Sequence, residues 1–254
     1  MADPLIRSEP VAGFWRGFMP NHEGPFPAVM LFHGSGGAQS GGYLLQAMFL
    51  AAHGYLAVPY GYSKDTTIWD AGCIRNIELL DTVGSLRALR KNPLCNNRVC
   101  LFGSSRGAEH VLLLASLMAK ENIADQADCI VAHAPADVVF PAFDSRCVRP
   151  RSDPGHREWD AADPAWLWRG TSDPIKPGSA IEVEHCKMPL MITHGTNDQV
   201  WSYEMTKNLQ ARLDAAGKKP EIHYFENEGH GFSAHAENRF NTLLLSFLER
   251  SLRS

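Results

Sequence analysis

Short apolar runs alternate along the chain with longer segments whose apolar positions recur every three or four residues. Runs over 27–32, 55–59, 98–103, 129–132, 189–193 and 221–225 predict strands, and most are apolar throughout, as expected for strands buried on both faces. Helical periodicity predicts helices over 43–53, 76–91, 106–120, 202–216 and 237–252; in the second, Ile77, Leu80, Val83, Leu86 and Leu89 fall on one face. Strand and helix in alternation predict an α/β fold: a mostly parallel central sheet flanked by helices, with residues 1–254 forming one domain. The pattern breaks over 140–186, a stretch rich in Pro, Asp and Arg that also carries Trp159, Trp166 and Trp168. A segment that long without periodicity predicts either a lid-like insertion bordering a site or a surface excursion packed down by its tryptophans.

Composition narrows the class. The 254 residues are 44% hydrophobic and carry 24 Lys+Arg against 28 Asp+Glu, for a net charge of −4. That excludes a disordered chain, and without a basic run it argues against nucleic acid as partner and for a small molecule. Six cysteines (Cys73, Cys95, Cys100, Cys129, Cys147 and Cys186) form no C-x-x-C pair and no zinc spacing, so free thiols in a reducing compartment are expected, with no metal or cofactor. The opening residues lack a basic segment followed by an apolar one, and no apolar run reaches the roughly 20 residues of a membrane span. A cytoplasmic protein with no membrane contact is the expectation; oligomeric state leaves no mark on the pattern.

The chemistry concentrates at three strand ends. Gly103-Ser104-Ser105-Arg106-Gly107 lies between a predicted strand and a predicted helix, the context in which G-x-S-x-G forms a sharp turn that lifts the serine hydroxyl above the sheet edge. Ser105 is therefore the candidate nucleophile. A serine hydroxyl needs a general base and a group to orient that base. Asp198 follows the strand over 189–193, and His230 follows the strand over 221–225, so both fall at the same sheet edge in the order Ser105, Asp198, His230. Among competing histidines, His194 is expected to be a structural contact and His133 a pocket wall, while His110 and His235 are expected to pack or face solvent. Asp173, Asp137 and Glu109 are worse placed than Asp198. The glycine-rich His33-Gly34-Ser35-Gly36-Gly37 follows the first long strand, and its backbone can approach an oxyanion closely. The N–H of Ser35, or of Gly36, together with that of Arg106, is the candidate oxyanion hole.

Together these residues resemble the α/β-hydrolase superfamily over nearly the whole chain, and within it the dienelactone hydrolase branch. Ser105-Arg106-Gly107-Ala108-Glu109, Trp168-Arg169-Gly170 and Asp198-Gln199-Val200-Trp201 resemble the catalytic domain of bile-acid-CoA:amino-acid N-acyltransferases and acyl-CoA thioesterases. His194-Gly195-Thr196-Asn197-Asp198 and Gly229-His230-Gly231-Phe232 also resemble prolyl-oligopeptidase-type peptidases. Dienelactone hydrolases and the bile-acid transferases generally carry Cys at the nucleophile position, and Ser105 here shifts the expectation to hydrolysis of a carboxylic ester or thioester. The resemblance implies a serine hydrolase that cleaves carboxylic esters through an acyl-enzyme. Alternatives are an acyl-CoA thioesterase or acyltransferase, a dienelactone-type lactone hydrolase, a small peptidase, or a binding protein without catalysis. Because the strands begin within the first thirty residues, the N-terminal β-sandwich domain of the transferases and thioesterases is expected to be absent, as is the propeller or accessory domain of the peptidases, which makes oligopeptides the weaker expectation. Phe140 and Phe143 could line an apolar pocket, and Arg146, Arg149 and Arg151 could meet an anionic substrate such as a CoA phosphate.

Overall fold

A computed structural model describes residues 5–38, 40–64 and 70–253. Eight strands form one sheet: β1 (Ile6–Val11), β2 (Phe14–Pro20), β3 (Phe26–Phe32), β4 (Leu56–Tyr60), β5 (Cys95–Ser104), β6 (Cys129–His133), β7 (Leu190–Gly195) and β8 (Glu221–Phe225), in the order β1-β2-β4-β3-β5-β6-β7-β8. The six strands from β3 onward run parallel, and the β1–β2 hairpin joins β4 antiparallel. Five helices connect them: α1 (Gly41–Ala52), α2 (Leu79–Lys91), α3 (Arg106–Lys120), α4 (Glu204–Ala215) and α5 (Ala234–Leu252). Strand pleating explains the two cores. In β3, which is buried along its whole length, Ala28, Met30 and Phe32 face a cluster shared with α2, α3 and α4, while Val29 and Leu31 face a second cluster shared with α1 and α5. This is the predicted α/β architecture, and it brings the C-terminal ends of β3, β5, β6, β7 and β8 to one edge.

Two features differ from the pattern reading. The β1–β2 hairpin escapes a search for apolar runs because Arg7, Ser8, Glu9 and Arg16 interrupt it at a half-exposed sheet edge. The second predicted helix begins only at Leu79, because Ile77–Glu78 instead pairs as a two-residue strand with Trp166–Leu167.

That pairing also explains the 140–186 segment, which is tied to the body at several points. Trp166 and Trp168 are buried, and their indole N–H groups donate to Glu109 on α3 at 2.7 Å and to Glu121, just past its C-terminal end, at 2.6 Å. Phe143–Asp144 pairs with Cys73–Ile74. Three of its arginines are engaged within the segment: Arg146 with Asp144 at 2.6 Å, Arg149 with Asp153 at 3.8 Å and Arg151 with Glu158 at 3.4 Å. Each of the three arginines expected to meet an anionic substrate thus has a carboxylate neighbour on the protein. Among the described residues no helix is long and apolar enough to cross a membrane, and all six cysteines are free thiols.

Candidate active site

Ser105 sits between β5 and α3 at φ 56° and ψ −121°, a backbone conformation that costs a non-glycine residue about 1–3 kcal/mol. The flanking glycines make the turn possible. A Cβ on Gly103 would lie 2.1 Å from the Gly107 carbonyl oxygen, and one on Gly107 would lie 2.3 Å from that of Phe32, so neither position admits a side chain. The Ser105 N–H donates to the His133 carbonyl at 2.9 Å, which fixes the turn to the end of β6. As the first residue of α3, Arg106 has an N–H with no acceptor inside the helix, directed where the helix dipole favours negative charge.

Asp198 and His230 come together as expected. The His230 Nδ1 lies 2.7 Å from Asp198 Oδ2, and this leaves Nε2 as the nitrogen available for proton transfer. The two loops that carry them are laced by backbone bonds, Thr196 N–H to the Phe225 carbonyl and Asn197 N–H to the Glu228 carbonyl, both at 2.9 Å. Asp198 is buried and saturated with donors: Oδ1 accepts from the N–H groups of Val200 at 2.8 Å and Trp201 at 3.0 Å. Burial works to raise the pKa of its carboxyl. The hydrogen bonds from His230, Trp201 and Val200 outweigh that and hold it below the usual value, so the group is a carboxylate.

The structural role expected for His194 proves to be a contact with the acid itself. Its Nε2 lies 3.1 Å from Asp198 Oδ2 and 3.0 Å from the Trp201 carbonyl, and its Nδ1 lies 2.8 Å from Thr206 Oγ1. Burial lowers its pKa. The neutral ring with two acceptors at Nε2 must carry its proton there, so it is a second donor to Asp198 while Nδ1 accepts from the threonine hydroxyl. His133, expected as a pocket wall, is one, and its Nε2 also holds the His230 carbonyl at 3.0 Å.

Ser105 and His230 open onto one cavity of about 440 Å³. Ser35 and Gly36 border it, as does Tyr43, whose hydroxyl oxygen accepts the Gly34 N–H at 2.5 Å. Tyr43 has no counterpart in the sequence reading, because nothing local marks a helix residue as facing a site. No residue of 140–186 lines this cavity, so Phe140 and Phe143 do not form its wall; Phe140 packs instead on Trp201, with ring centroids 4.8 Å apart.

The glycine-rich loop is braced from behind. The His33 ring stacks on Tyr62 at 4.2 Å, and the Tyr62 hydroxyl donates to the His33 carbonyl at 2.7 Å. Burial pushes the pKa of His33 from 6.5 down to about 4, His110 to about 3 and His133 to about 4. On unfolding each regains its ordinary value and takes up a proton below about pH 6.5. The folded state cannot follow, so stability present above pH 6.5 is lost as pH falls toward 4. Each imidazole contributes up to about 1.4 kcal/mol per pH unit. Urea unfolding at pH 7, 6 and 5 should show this decline; equal stability at all three would mean that these rings are not held neutral.

Residues 75–254 match the prolyl oligopeptidase family. Among curated proteins, human acyl-coenzyme A thioesterase 6 is 25% identical over 238 residues, covering 89% of this chain and 54% of that protein. The chain thus spans about half the length of that relative. Among solved structures, Thermogutta terrifontis esterase 2 phosphorylated by paraoxon superposes with a TM-score of 0.61 at 17% identity, covering 97% of this chain and 94% of the other. A dienelactone hydrolase-like promiscuous phosphotriesterase from metagenomic libraries gives 0.64 at 16%, covering 98% and 100%. These structural likenesses carry the fold, which is that of the α/β-hydrolases.

Proposed function

The chain belongs to the prolyl oligopeptidase family, and from that membership we propose that it is a serine hydrolase that cleaves carboxylic esters of small molecules through an acyl-enzyme. One observation carries the reading: Ser105 on its strained turn shares a cavity with His230, whose other ring nitrogen is bound to Asp198 at 2.7 Å. His230 Nε2 accepts the Ser105 proton as Oγ attacks the acyl carbon. The resulting oxyanion is held by the N–H groups of Arg106 and Ser35, and the alkoxide leaves with the proton from His230. Water, deprotonated by the same nitrogen, then attacks the acyl-enzyme, releases the acid and restores the serine.

Tyr43 belongs in this machinery. Its oxygen accepts from Gly34, so its own O–H is left to donate, and the residue borders the cavity. Replacing Tyr43 with phenylalanine should lower kcat by about 100-fold with little change in KM, the usual result of losing one oxyanion donor. Steady-state kinetics on p-nitrophenyl acetate checks this, and a kcat within twofold of the parent would remove Tyr43 from the hole.

The reading itself is tested by a fluorophosphonate, which should attach one group per chain at Ser105 as located by peptide mass spectrometry. Absence of label, or label on Ser104, would overturn it. Likeness to a thioesterase supports acyl-CoA as a second substrate class. Against it, the arginines of 140–186 are already ion-paired. Comparing short-chain esters with acyl-CoA decides between the two.

A further inference from the structure

The candidate nucleophile and the candidate base are tied to one residue that takes no part in the chemistry itself. His133 is the last residue of β6 and pairs in register with Ser104 at the end of β5 and with Thr193 on β7, so it stands between the strand that leads to Ser105 and the strand that leads to Asp198. Its main chain serves one side, where the carbonyl accepts the Ser105 N–H at 2.9 Å. Its side chain serves the other. Alternation along β6 places Cys129 and Val131 in the core shared with α1 and α5, and the His133 ring leaves the sheet on that same face. There Nε2 lies 3.0 Å from the His230 carbonyl and Nδ1 lies 3.0 Å from Thr193 Oγ1, while the ring meets those of Phe232 and Phe240 at centroid distances of 4.6 and 5.8 Å. A carbonyl can only accept, so Nε2 carries the proton of this neutral ring and Nδ1 accepts from the threonine hydroxyl.

The loop that carries His230 has few other holds. Gly229 and Gly231 flank the histidine and bring no side chains to pack. Among the described residues, main-chain bonds hold the loop at Glu228, whose carbonyl accepts from Asn197, and again at Ser233, whose carbonyl accepts from Glu237. Between those points both hydrogen bonds are made by His230, through Nδ1 with Asp198 and through its carbonyl with His133. The bond to Asp198 orients the ring, but a ring held only there can swing with its backbone. The bond from His133 is what holds the backbone.

We propose that His133 is a positioning residue that sets the distance between nucleophile and base, its carbonyl fixing the turn of Ser105 and its Nε2 fixing the main chain of His230. The proposal rests on the ester-hydrolase reading for the roles of Ser105 and His230. A proton passes between His230 Nε2 and an oxygen at the reacting centre in both halves of that reaction, and a misplacement of about 1 Å can cost about 100-fold in rate. Acylation and deacylation should therefore slow together, which lowers kcat and leaves KM in place.

Three variants of the full chain test it. His133→Phe and His133→Leu keep the main-chain bond to Ser105 and remove the side-chain donor; His133→Gln restores an N–H near the lost Nε2. On p-nitrophenyl acetate the first two should lose at least about tenfold in kcat with KM within about twofold of the parent, and glutamine should recover most of the loss. The second readout is the His230 Nδ1 proton, seen downfield by NMR and assigned by its disappearance in His230→Gln. It should be lost to exchange with water in the phenylalanine variant and kept in the glutamine one. A phenylalanine variant with kcat within about threefold of the parent, or a glutamine variant no better than phenylalanine, would overturn the proposal. So would failure of both donor-less variants to fold where glutamine folds, since His133 would then serve stability alone. A parent that neither hydrolyses the ester nor takes a fluorophosphonate removes the ester-hydrolase reading, and the His230 proton then still reports whether His133 holds the loop. A hydrolysing parent whose phenylalanine variant keeps both rate and proton removes the role of His133 and leaves that reading standing.

Discussion

Replacing Ser105 with alanine should lower kcat/KM for p-nitrophenyl acetate by roughly 10,000-fold or more, because the change deletes the atom that forms the acyl bond and leaves only the surrounding donors to act on water. The fold should tolerate it. Alanine is smaller than serine, and the Ser105 N–H that anchors the turn to His133 is retained. The positive φ at this position is a strain carried by either residue, so a melting temperature close to that of the parent is expected. The measurement is steady-state hydrolysis on protein expressed in a background without esterase contamination. Retention of a tenth of the parent rate would assign the chemistry to another residue.

The prominence of that serine in the sequence has a local cause. A strand, a G-x-S-x-G turn and a helix occupy consecutive positions, so the apolar run, the two glycines and the helical periodicity are read together; α3 is found at 106–120 as expected. Asp198 and His230 were legible because each follows a strand by only a few residues, which fixes the sheet edge on which it falls. What the sequence could not show depends on pairs far apart in the chain. The cavity is bordered by Gln46 on α1 and Glu237 on α5, and neither residue carries a local mark. His194 illustrates the same limit at short range. Its position at a strand end was legible, but that its ring points to Asp198 and not away from it depends on Thr206 and the Trp201 carbonyl holding the other contacts. The β1–β2 hairpin was hidden for the opposite reason, since a half-exposed edge needs no apolar run to form.

Glu109 offers the second large effect, and here the loss should be in stability. Its carboxylate is fully buried and lies 2.8 Å from the Arg106 guanidinium, and it accepts from Trp166 Nε1 at 2.7 Å and the Phe140 N–H at 2.8 Å. Arg106 is itself buried; its guanidinium also donates to the Pro141 carbonyl at 3.0 Å and lies 5.3 Å over the Trp166 ring. These groups join the first turn of α3 to the 140–186 segment. Replacing Glu109 with glutamine keeps an acceptor for Trp166 and Phe140 but leaves the arginine charge buried without its partner, at a cost of about 3–5 kcal/mol. Urea unfolding should show that loss. If the stranded charge is the cause, the double variant R106M/E109Q should regain most of it, because methionine fills a similar volume without the charge. A single-variant loss below about 1 kcal/mol, or a double variant no better than the single, would mean that the pair is dispensable. Arg106 also supplies the candidate oxyanion amide from its backbone, so a shift of this turn should reach the reaction: kcat of Glu109→Gln should fall while the fluorophosphonate still attaches to Ser105. The apolar segment boundaries made α3 visible in the sequence, but the buried charge pair at its start is what ties the excursion's tryptophan to the turn that carries the nucleophile.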